Sequence, residues 1–182
     1  MELQDTYLRL DLTLADFMNY LDEKVGKGNY ILFLTADHAC AENGNFMHNE
    51  KYNVKNIDYK TISKSVEQFS KDTIGEDLVL DYSNFNLFLD KNKITEKGLI
   101  FKDVRGKFID YFMSQEQVKR VYTEEEIINS NGNDYYLNTI FNGYDVTQNG
   151  DLVILDKPGY IEYGATGTTH GTPYAFDTHA PL

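Results

Sequence analysis

Three side chains in this 182-residue sequence have the types and neighbours that chemistry at a cation needs. They are Asp37 and His38, adjacent at the end of "YILFLTADH", and His170 inside "GATGTTHGTP". A carboxylate and an imidazole side by side where a strand emerges can place an oxygen and a nitrogen on one metal ion such as zinc, and a hydrogen-bonded structural role is the open alternative. His170 stands between Gly167 and Gly171 in a loop whose backbone is free to approach a ligand, although a histidine in such a loop is also readily just a surface residue. His48 in "NFMHNEKY" reads as a surface loop residue. His179 in "DTHAPL", before what reads as the start of another strand, suits packing or a hydrogen bond to a ligand as well as direct ligation. The single Cys40 excludes an internal disulfide framework and any multi-cysteine zinc site.

These residues need elements to position them. Tyr30 to Leu34 run without polar alternation, which predicts a strand over 30–36 buried on both faces, with Asp37 and His38 at its carboxyl end, where open α/β sheets bind ligands. Before it, Leu14, Phe17, Met18, Leu21 and Val25 recur at helical spacing up to the stop signals Gly26 and Gly28, predicting a helix from about Leu3 to Val25. A polar loop is expected to about Asn56, then a helix over 58–72. "DLVLDYSNFNLFLD" reads as one or two strands closed by a turn at "DKNK".

The second half has α+β texture. Val104, Phe108, Ile109 and Phe112 predict a helix, "QVKRVYT" a strand, and "TEEEIINS" a short helix capped by Thr123 with Glu126 three residues on. Asn149-Gly150 inside "YDVTQNGDLVIL" is the dipeptide a type I′ hairpin favours, so a hairpin is expected there. Residues 164–173 read as a Gly/Thr loop. The expected fold class is α/β, a sheet core in 1–92 and an inserted α+β lobe in 93–163, followed by the loop and the start of a strand in 164–182.

A net charge of −12 opposes phosphate backbones and anionic membrane surfaces, so nucleic acid polymers are not expected as partners. An anionic small molecule would need a local positive centre, such as a metal. No apolar run is long enough to span a bilayer, and "MELQDTYLRLD" has neither the basic nor the apolar part of a signal peptide.

The segments "DTYLRLDLTLADFMNYLDEKVGKGNYILFLTADHA" and "GTTHGTPYAFDTHAPL" together resemble the C-terminal part of the catalytic domain of the alkaline phosphatase superfamily. More narrowly, they are similar to the phosphate-irrepressible periplasmic alkaline phosphatases and the type I phosphodiesterase and nucleotide pyrophosphatase group. That resemblance implies an incomplete alkaline-phosphatase-like sheet core with flanking helices. It also implies a two-metal site, usually zinc, around a Thr or Ser nucleophile, acting on small phosphate mono- or diesters. Asp37 and His38 match the Asp-His pair on one metal, and His170 matches the late histidine on the other.

In such enzymes the nucleophile, a further Asp and an Asp-x-x-x-His pair precede the "DTYLRLD" helix. The resemblance therefore implies that this chain is a fragment, inactive alone, of a periplasmic or exported parent. Ala39 departs from the glycine common after the Asp-His pair. Two other readings stand beside this one: a non-catalytic binding module on a phosphatase-like fold, and a sulfatase or phosphomutase relative.

Overall fold

The computed structural model describes residues 2–180, which form two compact units, one up to Ala36 and one from Asp37 to Ala180. In the first, α1 (Glu2–Leu21) continues into a π-helical turn, Asp22–Gly26, that ends where Gly26 takes a φ of 98°. Asp5 and Arg9 pair along α1 at 2.7 Å, one turn apart. The Tyr30 hydroxyl donates to Asp22 Oδ1 at 2.8 Å, folding the following chain back on the turn.

The strand expected over 30–36 is a correction. The segment carries no strand assignment, and its side chains face outward, with Ile31 92% and Phe33 73% exposed. Continuous apolar sequence specifies that both faces be covered, and among the described residues no strand pairs with this one.

The second unit is built on a four-stranded antiparallel sheet of order β2 (Val79–Ser83), β3 (Asn86–Leu89), β5 (Leu152–Asp156) and β4 (Val118–Thr123). Strand β5 is buried along its whole length because both its faces are covered. Leu152 and Ile154 pack with Leu87, Leu89 and the helices α3 (Tyr59–Ile74) and α5 (Phe101–Met113), through Val66, Val104, Phe108 and Phe112. Val153 and Leu155 turn the other way, as alternation requires, onto Tyr122, Ile127 and Tyr174, with Tyr136, Leu137 and Ile140 of α7 (Tyr135–Gly143) against them. Between β4 and α7, α6 (Glu124–Ile128) opens with the expected capping box, Thr123 and Glu126 each accepting the other's backbone N–H.

A third cluster, Ala41, Val54 and Ile161, surrounds the short parallel pair β1 (Lys55–Asn56) and β6 (Tyr160–Ile161). The stretch expected as a loop to Asn56 also holds α2 (Gly44–Asn49), capped by Asn43, so His48 lies on an exposed helix and not in a loop. "DKNK" is a helix start: Asp90 Oδ1 accepts from the Lys93 amide at 2.9 Å and caps α4 (Lys91–Glu96). Near the end, α8 (Ala175–Thr178) is capped by His179, and the strand expected after it falls mostly outside the described residues.

The hairpin expected at Asn149-Gly150 is also corrected. No strand precedes it: 144–150 is a loop in which Asp145 Oδ1 accepts from the Thr147 amide and hydroxyl, and β5 pairs with β3 and β4 instead. Gly150 is needed for its missing Cβ, which would stand 2.5 Å from the Leu87 carbonyl oxygen. Its amide donates to Asn86 Oδ1 at 3.0 Å, holding that close approach. Gly150→Ala is expected to destabilise by about 1–3 kcal/mol, because the obstacle is backbone of a paired strand. Gly106→Ala, inside α5 with open space around it, is expected to stabilise by about 0.5–1 kcal/mol. Denaturant titration of the two variants against the parent checks both signs.

The two-residue connection with left-handed backbone lies elsewhere, between β2 and β3, where Asn84 has φ 48° and Phe85 φ 61°. Phenylalanine there costs about 1–2 kcal/mol relative to a right-handed residue.

Candidate metal centre

Asp37 and His38 stand at the start of the second unit, and a chain of hydrogen bonds brings His170 to them from far along the sequence. The Ala39 amide donates to the Asp177 carbonyl at 2.8 Å. Asp177 Oδ2 in turn accepts from the Thr172 amide at 2.8 Å and the Thr172 hydroxyl at 2.6 Å. One residue thus grips both the segment after His38 and the segment after His170. On the other side, Asn43 Nδ2 donates to the Gly167 carbonyl, and Asn45 Nδ2 donates to the Gly164 carbonyl at 3.0 Å, fastening the Gly/Thr loop to the start of α2.

The result is a face-to-face stack of the His38 and His170 rings, centroids 3.5 Å apart and planes 17° from parallel. His48 and His179 are not among the residues lining the cleft that holds this stack.

The Asp37 and His38 side chains lie close to one another. His38 Nδ1 lies 2.7 Å from the Ala39 carbonyl oxygen, which assigns the ring proton to Nδ1 and leaves the Nε2 lone pair outward. The His38 amide donates to Asp37 Oδ1 at 3.1 Å, and Asp37 Oδ2 stands 3.6 Å from His38 Nε2. Two ligands at tetrahedral angles, each about 2.0–2.1 Å from one zinc, are separated by about 3.3 Å, so this pair nearly has the bite of a single ion. Both side chains are open to solvent, giving an ion a path in. Among the described residues no three His, Cys, Asp or Glu side chains gather around one point, so the pair by itself would offer a cation two donors, one fewer than a catalytic zinc takes from protein.

Around the stack lies a cleft of ≈ 560 Å³, walled by Phe85, Ile140, Val153, Leu155 and Pro173 and by Asn84, Asn86 and Asn149. Its charged lining residues other than histidine are acidic: Asp37, Asp156 and Asp177. Such walls repel a phosphate ester until a cation is present. Asp156 and Asp177 were not singled out by the sequence reading. Each keeps one carboxylate oxygen buried without a hydrogen bond, Asp156 Oδ2 and Asp177 Oδ1, and burial pushes the Asp156 carboxyl up to about 7. A signal for Asp156 was available, because it ends "LVILD" much as Asp37 ends its own apolar run.

The sequence profile of the type I phosphodiesterase / nucleotide pyrophosphatase family matches residues 1–180. Over 186 aligned residues the chain is 35% identical to alkaline phosphatase PafA of Elizabethkingia meningoseptica, covering 100% of this chain and 33% of that protein. It is 30% identical to alkaline phosphatase PhoV of Synechococcus elongatus, over 99% of this chain and 32% of the relative. The crystal structure of wild-type PafA superposes with a TM-score of 0.86 at 34% identity, covering 97% of this chain and 34% of that one. The chain thus spans about a third of the length of the curated relatives it matches, and its mixed α/β architecture follows the alkaline phosphatase fold. It is a member of the type I phosphodiesterase / nucleotide pyrophosphatase family, within the alkaline phosphatase superfamily.

Proposed function

We propose that the whole protein is an exported, zinc-dependent phosphohydrolase cleaving small phosphate mono- or diesters through a phospho-Thr or phospho-Ser intermediate, and that this chain supplies part of its metal centre. The observation that carries the reading is the Asp37 Oδ2–His38 Nε2 pair at 3.6 Å with His170 stacked on His38. In this proposal Asp37 and His38 hold one zinc, and His170 is a ligand of a second. When bound, such ions would supply positive charge to the entering and departing oxygens of a displacement at phosphorus.

The chain's own residues do the positioning. The Ala39 carbonyl fixes the His38 tautomer, the His38 amide turns the Asp37 carboxylate, and Asp177 keeps the two ligand segments together. Thr168 and Thr169 are not proposed as the nucleophile. That hydroxyl and the remaining ligands are placed in sequence that precedes this segment in the longer protein. An inserted lobe is likewise a proposal about the whole fold, with its boundary set ahead of the residue 92 expected from sequence. Since β2 and β3 share a sheet with β4 and β5, the lobe is proposed to include them.

The test is hydrolysis of an aryl phosphate by the whole protein with and without a chelator, beside the isolated 182-residue chain. Zinc-restored turnover is expected for the whole protein, and for the chain alone no more than free zinc achieves. A whole protein inactive with zinc in excess would sink the reading in favour of a binding module.

A further inference from the structure

The left-handed turn between β2 and β3 holds an aromatic ring in the lining of the cleft. Turns with positive φ at both central residues favour Asn followed by Gly, and Asn84 fits while Phe85 stands where glycine is preferred. A residue held in such a conformation marks a place where the surrounding structure fixes the side chain. Phe85 meets Tyr59 edge-on at 5.3 Å between centroids, and Gly171 leaves room beside the ring, since an added Cβ there would lie 3.5 Å from its Cε2. Phe85 is only half-buried.

Phe85 lines both the cleft of ≈ 560 Å³ that holds Asp37, His38 and His170 and a neighbouring cavity of ≈ 360 Å³. The residues common to both are Asn84, Phe85 and His170, which makes the ring part of the partition beside His170. Besides the histidines the larger cleft is lined by Ile140, Val153, Leu155 and Pro173 together with the polar Asn86, Asn149 and Asp156, and no Lys or Arg is among its described lining residues. The apolar part of that lining suits an uncharged, flat group, and it offers no Lys or Arg to a second phosphate.

We propose that Phe85 is a specificity-determining residue whose ring receives the aryl group of a phosphate ester while the phosphate sits at Asp37, His38 and His170. The proposal rests on the phosphohydrolase reading above and names its substrate class. The aromatic face, unlike turn strain alone, predicts a loss confined to aryl substrates.

The experiment compares the metal-loaded whole protein with Phe85→Gly and Phe85→Leu on phenyl phosphate and methyl phosphate, with inhibition by inorganic phosphate and Tm as further readouts. Phe85→Gly is expected to lower kcat/KM for phenyl phosphate about tenfold, mostly through KM. Methyl phosphate turnover and phosphate inhibition should stay close to wild type, and Tm should change little, since the relieved turn is offset by the packing lost on Tyr59. Phe85→Leu should lose part of the phenyl preference. Equal losses on both esters, or an unchanged phenyl preference, would overturn the proposal.

Binding of phenylphosphonate against methylphosphonate, by calorimetry, separates the two readings. An inactive wild type that still prefers the phenyl compound through Phe85 refutes the enzyme and supports the aryl subsite. An active one whose preference ignores Phe85 supports the enzyme and refutes the subsite.

Discussion

His38→Ala and His170→Ala, made separately in the whole protein and assayed with zinc in excess, are expected to lower kcat/KM for an aryl phosphate by about a hundredfold or more. Each removes a proposed ligand from a unit whose members act together, so either loss alone should approach the cost of losing both. Metal content measured on the purified variants should fall with activity. His48→Ala is the control, because His48 is exposed on α2 and is not among the residues lining the cleft. A His170 variant that keeps both its zinc and its rate would show that the stack on His38 is packing and not half of a metal centre.

A second large effect should come from Asp156. Its carboxyl is buried, 3% exposed, with Oδ2 lacking a hydrogen bond, and burial raises its pKa from 3.8 to about 7. The folded state therefore holds this proton more tightly than the unfolded chain does. The contribution to stability is fully present below about pH 4 and is lost as pH rises through about 7, after which the interior carries an uncompensated charge. The difference corresponds to at most about 4 kcal/mol above pH 7. Asp156→Asn, which keeps the shape and cannot ionise, is expected to raise Tm markedly at pH 8 and hardly at all at pH 4. Thermal melts across that range check the sign, and an equal shift at both ends would mean that ionisation is not the cause.

Much of this architecture could be read from residue order, and the failures share a physical origin. The helix around Val66, the one around Phe108, and the box of Thr123 and Glu126 were legible because periodicity and capping are local properties. Ile31 to Leu34 misled because an apolar run states that cover is required without naming the cover. Gly150 misled because glycine serves two ends, positive φ and close approach, and only the neighbour at Leu87 decides which applies. The true turn was hidden by Phe85, a side chain the backbone there does not favour.

For the proposed site, residue types and the resemblance point to Asp37, His38 and His170, and the fold brings the His38 and His170 rings together. The clasp through Asp177 was not, because nothing in sequence links Ala39 and Thr172 to one aspartate. Asp156 is the more instructive omission, being a carboxylate at the end of an apolar strand that the rule applied to Asp37 should have caught.

The uncovered run after Tyr30 also governs how this polypeptide behaves as a colloid. "YILFLT" has strong β propensity, no charge, no proline and no glycine, the composition from which dry interdigitated zippers assemble. Its nearest charges are Lys27 on one side and Asp37 on the other. What holds two copies apart is then chiefly the repulsion of the −12 net charge, which 0.1 M salt confines to about 10 Å. Clumping of the isolated chain should therefore be a bimolecular process that salt and concentration both hasten, and stocks are best kept dilute, near neutral pH and low in ionic strength.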